Sequence, residues 1–175
     1  ADHYGDVVDE PAVPLEHLAE YTARLTEVFE KHGTRGTWYA HASVGTLHVR
    51  PILDMHRDSA AKMRAITEEA AELVKEYKGV YSGEHGDGLV RSEWIAPFFG
   101  PRLTATLAEV KALFDPKNLM NPGKIVAPLK QDDRSLFRYP PGYTIGELKT
   151  GLDWSKELGF AGAVEMCNNN GHCRK

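Results

Sequence analysis

The sequence predicts an α+β fold in which helices cover an antiparallel sheet. Three segments have helical periodicity, and two short segments rich in aromatic and β-branched residues lie between the first and the second of them. Strands joined by a short turn run in opposite directions, so this order of helix, hairpin and helix favours an antiparallel sheet. The chain has 175 residues, of which 42% are hydrophobic, and this is sufficient for one main core.

The first helix and the hairpin follow from spacing and residue type. Apolar side chains recur at helical spacing over residues 15–32, between Pro14 and Gly33, which are residue types typical of a helix start and a helix end. Residues 37–42 and 46–53 have the composition of strands, and the short segment between them includes a glycine. We therefore expect a helix followed by a β-hairpin.

The turn of this hairpin determines how close His41 and His48 come. A tight turn at Val44 and Gly45 pairs His41 directly with His48, and directly opposed side chains have Cβ atoms about 4.5–5.5 Å apart. Val44 fits such a turn poorly, because a β-branched residue resists a positive φ. A looser loop is the alternative, and it also keeps the two histidines near each other.

Two more helices are expected after the hairpin. One follows Ser59 and ends at Gly79, and the other spans residues 101–114. Between them, residues 79–82 are strand-like, whereas residues 81–88 contain too many glycines for regular structure. We therefore expect a glycine-rich loop between the sheet and the third helix.

Residues 1–128 are interpreted as one domain and residues 129–166 as an irregular, linker-like extension. The extension is polar and contains prolines, and residues 144–147 match a capping box, which predicts one short helix. No methionine precedes Ala1, so we expect the chain to be a fragment of a longer protein.

Composition limits the classes of partner. The formal net charge of −4 does not provide the basic surface that nucleic-acid binding requires. No apolar run has the length of a transmembrane helix and no signal peptide opens the chain, so we expect a cytoplasmic protein, either free or peripheral to the inner membrane. The two cysteines, Cys167 and Cys173, indicate either a metal or cluster motif or two unrelated thiols.

The candidate functional residues are His41, His48, Glu84 and His85. Two imidazoles and one carboxylate can bind a divalent ion such as Zn²⁺, Mn²⁺ or Fe²⁺ and leave coordination positions open, as catalytic sites do. The remaining histidine is then available as a general base. Histidines are also common on protein surfaces, so spacing alone leaves a structural role open.

Three motifs that occur in order resemble a known family. They are residues 39–48 (YAHASVGTLH), residues 82–86 (SGEHG) and residues 115–124 (DPKNLMNPGK). Together they resemble the C-terminal domain of the FAD-linked oxidases, the group of glycolate oxidase, D-lactate dehydrogenase and D-2-hydroxyglutarate dehydrogenase. The resemblance covers residues 1–128, and it implies a ferredoxin-like α+β domain, an FAD cofactor and a bound divalent metal, Zn or Mn.

The resemblance also implies a role for each site residue. The metal ligands that it implies are His41, His48 and Glu84. It implies a catalytic base at His85, and Asn121 matches a position near the flavin, so Glu84 and Asn121 are the residues expected to contact the cofactors. Thr46 replaces an asparagine that can contact the substrate in the family, and it is therefore a candidate substrate contact.

The end of the chain resembles the start of an iron–sulfur module. Residues 167–175 contain Cys167 and Cys173, but residue 170 is an asparagine where the usual motif has a further cysteine. A 4Fe-4S cluster needs four cysteine ligands, so we expect the cluster in the full-length protein only.

The implied reaction is the oxidation of a D-2-hydroxy acid, of the 2-hydroxyglutarate, lactate or glycolate type, to the 2-oxo acid. His85 accepts the hydroxyl proton, a hydride passes to FAD, and the electrons then reach an unknown acceptor. Arg50 and Arg91 are candidates to bind the substrate carboxylate, because a guanidinium group matches its geometry. Nothing in the chain resembles the phosphate-binding part of a flavin domain, so we expect the isolated chain to bind FAD weakly or not at all.

Two alternatives from other classes stay open. In a metal-dependent hydrolase, His41, His48 and Glu84 would hold an ion that activates water. In a docking domain without activity, the metal would only fasten the hairpin to the loop that carries Glu84.

Overall fold

Two long helices pack against a small antiparallel sheet. A computed structural model describes residues 3–4, 10–57, 59–146 and 148–167. The strands are β1 (His3–Tyr4), β2 (Gly36–His41) and β3 (Thr46–Leu53). Their order in the sheet is β1-β3-β2, and both neighbouring pairs are antiparallel.

Five α-helices lie in the described part of the chain. They are α1 (Leu18–Lys31), α2 (Ala60–Glu76), α3 (Gly88–Arg91), α4 (Ile95–Phe114) and α5 (Gly159–Glu165). Short 3-10 turns stand at Leu15–His17, Ala42–Val44, Ser92–Trp94, Arg134–Leu136 and Ser155–Glu157. Helices together with an antiparallel sheet confirm the predicted α+β class.

The hydrophobic core lies between the sheet and the two helices α1 and α2. Tyr21, Leu25 and Phe29 of α1 are fully buried, and so are Val49 of β3 and Ile66 of α2. Successive side chains of a strand point to opposite faces of the sheet. The core therefore uses one face of β3, and the polar residues of this strand lie on the other face.

The three predicted helices are present, with differences at their ends. α2 begins directly after Ser59. α4 contains the predicted residues 101–114 but starts earlier, at Ile95, and Gly100 divides it with a φ of 77° and a ψ of 173°. The residue before a proline is disfavoured in the helical region, which explains a break in front of Pro101. Among the described residues, no helix combines the length and the apolar character that crossing a membrane requires.

The strand expected at residues 79–82 is not formed. Val80 makes an isolated bridge with Ala12, and Gly83 then donates to the carbonyl of Glu10, but residues 79–82 form no strand in the described part of the chain. Close packing explains the position of this bridge, because a Cβ atom at Gly79 would overlap the carbonyl oxygen of Ala12.

The capping box at residues 144–147 is not followed by a helix, since residues 148–154 have no helical structure. Leu148 and Leu152 are exposed. A short helix is stable mainly when its apolar face packs against the rest of the protein. Neither leucine of this segment is packed in this way. A short helix does occur in the extension, but it lies later, at α5.

The extension after residue 128 is mostly irregular, but it contacts the preceding residues. The buried ring of Tyr139 stacks on His56 with 4.0 Å between the ring centroids. Nε2 of His56 lies 3.1 Å from a carboxylate oxygen of Glu165 in α5. The division of the chain at residue 128 remains a prediction.

Gly45 is the point at which the hairpin turn meets the segment in front of α1. Its φ is 73°, and a Cβ atom there would overlap the carbonyl oxygen of Val13. The amide of Val13 also donates a hydrogen bond to the carbonyl of Gly45 at 3.1 Å. Gly142 has a similar φ of 77°, but a Cβ atom there would meet nothing within 4 Å.

We therefore expect Gly45→Ala to destabilise the protein more than Gly142→Ala. The control substitution costs at most about 1–2 kcal/mol, the penalty for a left-handed φ. Gly45→Ala costs more, because Val13 must also move. Denaturant unfolding of both variants measures the difference, and equal losses of unfolding free energy would contradict the steric role of Gly45.

Candidate active site

The two histidines of the first motif lie on the face of the sheet that is opposite to the core. His48 of β3 pairs with Tyr39 of β2, and His41 pairs with Thr46. The predicted direct pairing of His41 with His48 is therefore wrong by two residues. A shift of two keeps both side chains on the same face, and the ring centroids are 5.2 Å apart.

The loop between the strands explains this register. It is the looser of the two expected loops, a 3-10 turn over Ala42–Val44 that ends at Gly45. The left-handed position is occupied by Gly45, with a φ of 73°, and not by Val44. The turn thus avoids a positive φ at the β-branched residue Val44. This is the reason why a tight turn at Val44 and Gly45 was disfavoured from the sequence.

The glycine-rich loop brings Glu84 onto this face of the sheet. The amide of Gly83 donates a 2.8 Å hydrogen bond to the carbonyl of Glu10. A Cβ atom at Gly83 would lie 3.0 Å from that carbonyl oxygen and 3.2 Å from Oγ1 of Thr46. Only a glycine allows the loop to lie this close to β3 without displacing its neighbours. Thr46, the predicted substrate contact, is buried beneath the loop.

The three predicted metal ligands converge in the structure. Oε1 of Glu84 lies 2.7 Å from Nε2 of His48 and 3.4 Å from Nε2 of His41. One potential ligand atom from each residue lies within 4.8 Å of the other two. Ligands at 2.0–2.2 Å in a tetrahedral site are about 3.4 Å apart. The donor set therefore fits a divalent ion after a small separation of Glu84 from His48.

One side of this cluster is closed and the other is open. The side chain of His48 is 6% exposed, whereas those of His41 and Glu84 are 45% and 39% exposed. The ring of Tyr39 stacks on His48 with 4.6 Å between centroids, and its hydroxyl lies 3.3 Å from Nε2 of His41. An ion held here would therefore be accessible to a small molecule from the solvent side.

The predicted base, His85, lies beside the ligands with its two ring nitrogens in different surroundings. Nδ1 is 2.5 Å from a carboxylate oxygen of Glu10, and Nε2 is 3.9 Å from Oε1 of Glu84. The side chain is 56% exposed. The nitrogen nearer to the candidate metal position is therefore the one that Glu10 does not contact.

Glu10 is the residue of this site that sequence reasoning missed. It is 1% exposed and has a φ of 68°, which is rare for a residue other than glycine. Burial alone raises the pKa of its carboxyl group, but the backbone amides of His85 and Glu84 and the charge of Arg91 outweigh burial and hold the pKa below its usual value. Glu10 stands beside Pro11 and belongs to no motif that could have indicated its place in this site.

The two arginines predicted to bind substrate are placed differently. Arg91 is buried, and its Nη2 donates to Glu10 at 3.0 Å and to the carbonyl of Gly86 at 2.7 Å. This placement supports the loop and does not fit the predicted contact with a substrate carboxylate. Arg50 is exposed and lies two residues after His48, on the same face of β3.

Asn121 lies on the loop after α4. It is exposed and has a φ of 47°. Asp115 holds the start of this loop by accepting hydrogen bonds from the amides of Leu119 and Met120. The side chain of Lys111, together with these amides, lowers the pKa of Asp115 to about 2.

One of the two cysteines lies in the described part of the chain. Cys167 is exposed, and its carbonyl accepts a hydrogen bond from Arg138 at 2.6 Å. Cys173 lies outside the described residues, so the proposed cluster ligands remain a prediction.

Comparisons with known proteins agree with the predicted family. The family described as FAD linked oxidases, C-terminal domain, matches residues 2–125. The chain is 37% identical to D-2-hydroxyglutarate dehydrogenase from Escherichia coli over 172 residues, which are 94% of this chain and 16% of that protein. It is 39% identical to the enzyme of that name from Pseudomonas putida over 168 residues, 95% of this chain and 16% of that protein.

A more distant relative has a different name. The chain is 34% identical to D-lactate dehydrogenase from Archaeoglobus fulgidus over 117 residues, which are 67% of this chain and 26% of that protein. The chain thus spans only a small part of the length of each of these relatives. The match over most of the chain confirms the resemblance of the three motifs, and the chain belongs to the FAD-linked oxidases, whose C-terminal domain it contains.

Proposed function

We propose that this chain forms the substrate- and metal-binding part of an FAD-dependent dehydrogenase of D-2-hydroxy acids. The observation that supports this proposal most is the convergence of His41, His48 and Glu84 beside Nε2 of His85. The relatives that match about 95% of the chain are named D-2-hydroxyglutarate dehydrogenases. We therefore place a 2-hydroxyglutarate-like acid first, ahead of lactate and glycolate.

His41, His48 and Glu84 would hold the metal, Zn or Mn. A divalent ion bound there would supply Lewis-acid chemistry, which favours the carboxylate and hydroxyl groups of a 2-hydroxy acid and would lower the pKa of the hydroxyl. The open side of the cluster leaves room for these two substrate oxygens. Glu84 then serves as a ligand, so its lone pairs are engaged and it is not the base.

His85 would accept the hydroxyl proton at Nε2. This nitrogen lies on the side of the ring that faces the three ligands, and Nδ1 is already engaged by Glu10. The hydrogen at C2 leaves with its electron pair as a hydride, and FAD, when bound, supplies the electron acceptor for it. Loss of one proton and one hydride converts the hydroxy acid into the 2-oxo acid.

Other parts of the protein would complete the enzyme. We propose that FAD is held mainly by a region outside this chain, with Asn121 contributing from its exposed loop. Cys167 and Cys173 would contribute to a 4Fe-4S cluster with further cysteines and pass electrons to an acceptor. A cytoplasmic location remains a prediction. The hydrolase alternative is not favoured, since the relatives are named dehydrogenases.

Loss of a single ligand is expected to remove the metal. His48→Ala should lower the affinity for Zn²⁺ or Mn²⁺ by more than the roughly 10–100-fold that follows loss of an outer-shell partner. His32→Ala is the matched control, because His32 is bound to Glu69 at 2.7 Å instead of to the cluster. Metal analysis after dialysis of both intact variants is the measurement. Equal metal content in the two variants would exclude the site.

Loss of the base is expected to stop turnover without releasing the metal. His85→Ala in the intact protein should lower kcat by about 10²–10⁴-fold, the usual contribution of a general base. The metal content should remain that of the parent protein. Unchanged kcat with metal bound would favour the docking alternative, in which the ion only fastens the loop to the hairpin.

Arg50 is the remaining candidate for the substrate carboxylate. Arg50→Ala should raise KM with a smaller change in kcat, because it removes binding that the ground state and the transition state share. Arg35→Ala removes another exposed arginine as the control. Steady-state kinetics with D-2-hydroxyglutarate, D-lactate and glycolate measure the effect, and identical KM values for the two variants would remove Arg50 from the proposed site.

A further inference from the structure

Glu10 is held in place by its backbone from two sides. Its amide donates to the carbonyl of Leu47 in β3 at 2.8 Å, and its carbonyl accepts from the amide of Gly83 at 2.8 Å. Its left-handed φ of 68° turns the chain between these two contacts. A non-glycine residue adopts this conformation at an energetic cost, which the surrounding contacts must outweigh.

The carboxylate of Glu10 accepts hydrogen bonds along the whole glycine-rich loop. Oε2 accepts from the amides of Glu84 at 3.1 Å and His85 at 2.5 Å, and from the hydroxyl of Ser82 at 3.4 Å. Oε1 accepts from Nη2 of Arg91 at 3.0 Å and lies 2.5 Å from Nδ1 of His85. A buried carboxylate is tolerated when its oxygens are satisfied in this way.

The contact with Nδ1 has a chemical consequence for His85. An ionised carboxylate can only accept hydrogen bonds, so Nδ1 must carry the hydrogen. In the neutral imidazole, Nε2 then has the lone pair that can accept a proton. The same contact limits rotation of a side chain that is otherwise half exposed. Both the tautomer and the direction of the ring therefore depend on Glu10.

The loop has other anchors that do not involve the ring. Nη2 of Arg91 also donates to the carbonyl of Gly86 at 2.7 Å, and the amide of Gly83 is bound to the backbone of Glu10. These contacts position the backbone of the loop without orienting the imidazole. The bond to Nδ1 is thus the contact that a purely structural role would not need.

We infer that Glu10 is a positioning residue for His85, which fixes its Nδ1–H tautomer and directs Nε2 towards the metal-bound substrate. The inference rests on the proposed function, in which His85 is the base. Glu10 does not touch the substrate and acts only through the imidazole. A carboxylate that orients a histidine in this way supports both the tautomer and the developing positive charge on the ring.

The test uses Glu10→Gln in the intact protein. The amide of glutamine can place either its oxygen or its NH₂ group against Nδ1, so His85 no longer has an acceptor that obliges Nδ1 to carry the hydrogen. We expect kcat to fall by roughly 10–100-fold, the usual effect of losing an outer-shell partner, with KM and metal content near those of the parent. Arg91 also loses its charged partner, so thermal unfolding is recorded and kcat is measured well below the transition.

Ser82→Ala is the matched control. It removes one donor to the same carboxylate without changing the contact with His85. We expect its kcat to stay within roughly twofold of the parent, because the bond from Ser82 is weak at 3.4 Å and Oε2 keeps the amides of Glu84 and His85. A loss comparable to that of Glu10→Gln would mean that any disturbance of the carboxylate lowers activity, and it would overturn the inference.

A double-mutant cycle separates positioning from structure. If Glu10 acts through His85, Glu10→Gln has no further effect on kcat once His85→Ala is present. An equal loss in both backgrounds shows a structural role and overturns the inference.

The single variants distinguish failure of the proposed function from failure of the inference. If His85→Ala alone leaves kcat unchanged, His85 is not the base and the proposed function is wrong. If only Glu10→Gln is without effect, the inference fails and the proposed function stands. Glu10→Asp, which retracts the carboxylate from Nδ1, replaces Glu10→Gln in the cycle if the latter does not fold.

Discussion

The whole site depends on a close backbone junction in which residues 10–13 join the hairpin to the glycine-rich loop. On one side this segment exchanges hydrogen bonds with Leu47 and Gly45, and on the other side it bonds to Val80 and Gly83. Side chains on the neighbouring backbone would prevent this approach, so glycine is required at Gly45, Gly79 and Gly83. The candidate metal ligands from the sheet and from the loop therefore converge, with one potential ligand atom of each within 4.8 Å of the others.

Local patterns in the sequence were sufficient for the three longer helices and the hairpin, and the ordered motifs identified side chains that converge in the structure. Their success has a physical reason, because apolar periodicity and strand composition act over neighbouring residues. The register of the hairpin was harder to predict from the sequence. It depends on which residue of the turn takes the left-handed conformation, and Gly45 takes it after a 3-10 turn. The two-residue shift between His41 and His48 could not be deduced from their spacing.

Contacts between distant parts of the chain could not be predicted in this way. Glu10 and His85 are separated by 75 positions, and neither composition nor spacing links them. Arg91 illustrates the same limit, because an arginine near a candidate site suggests a substrate contact until its buried partner is known. The structure assigns its guanidinium to Glu10 and Gly86 instead. The network around a catalytic group is thus harder to predict than the group itself.

The same separation has a consequence for the order of folding. Contacts between residues far apart in sequence require the closure of large loops, and they form late compared with helices and hairpins. The hairpin can bring His41 and His48 together early, but Glu84 joins them only after residues 10–13 have docked between β3 and the loop. The candidate metal site would therefore be assembled after the hairpin. Convergence of its three side chains would then mark the completion of this domain.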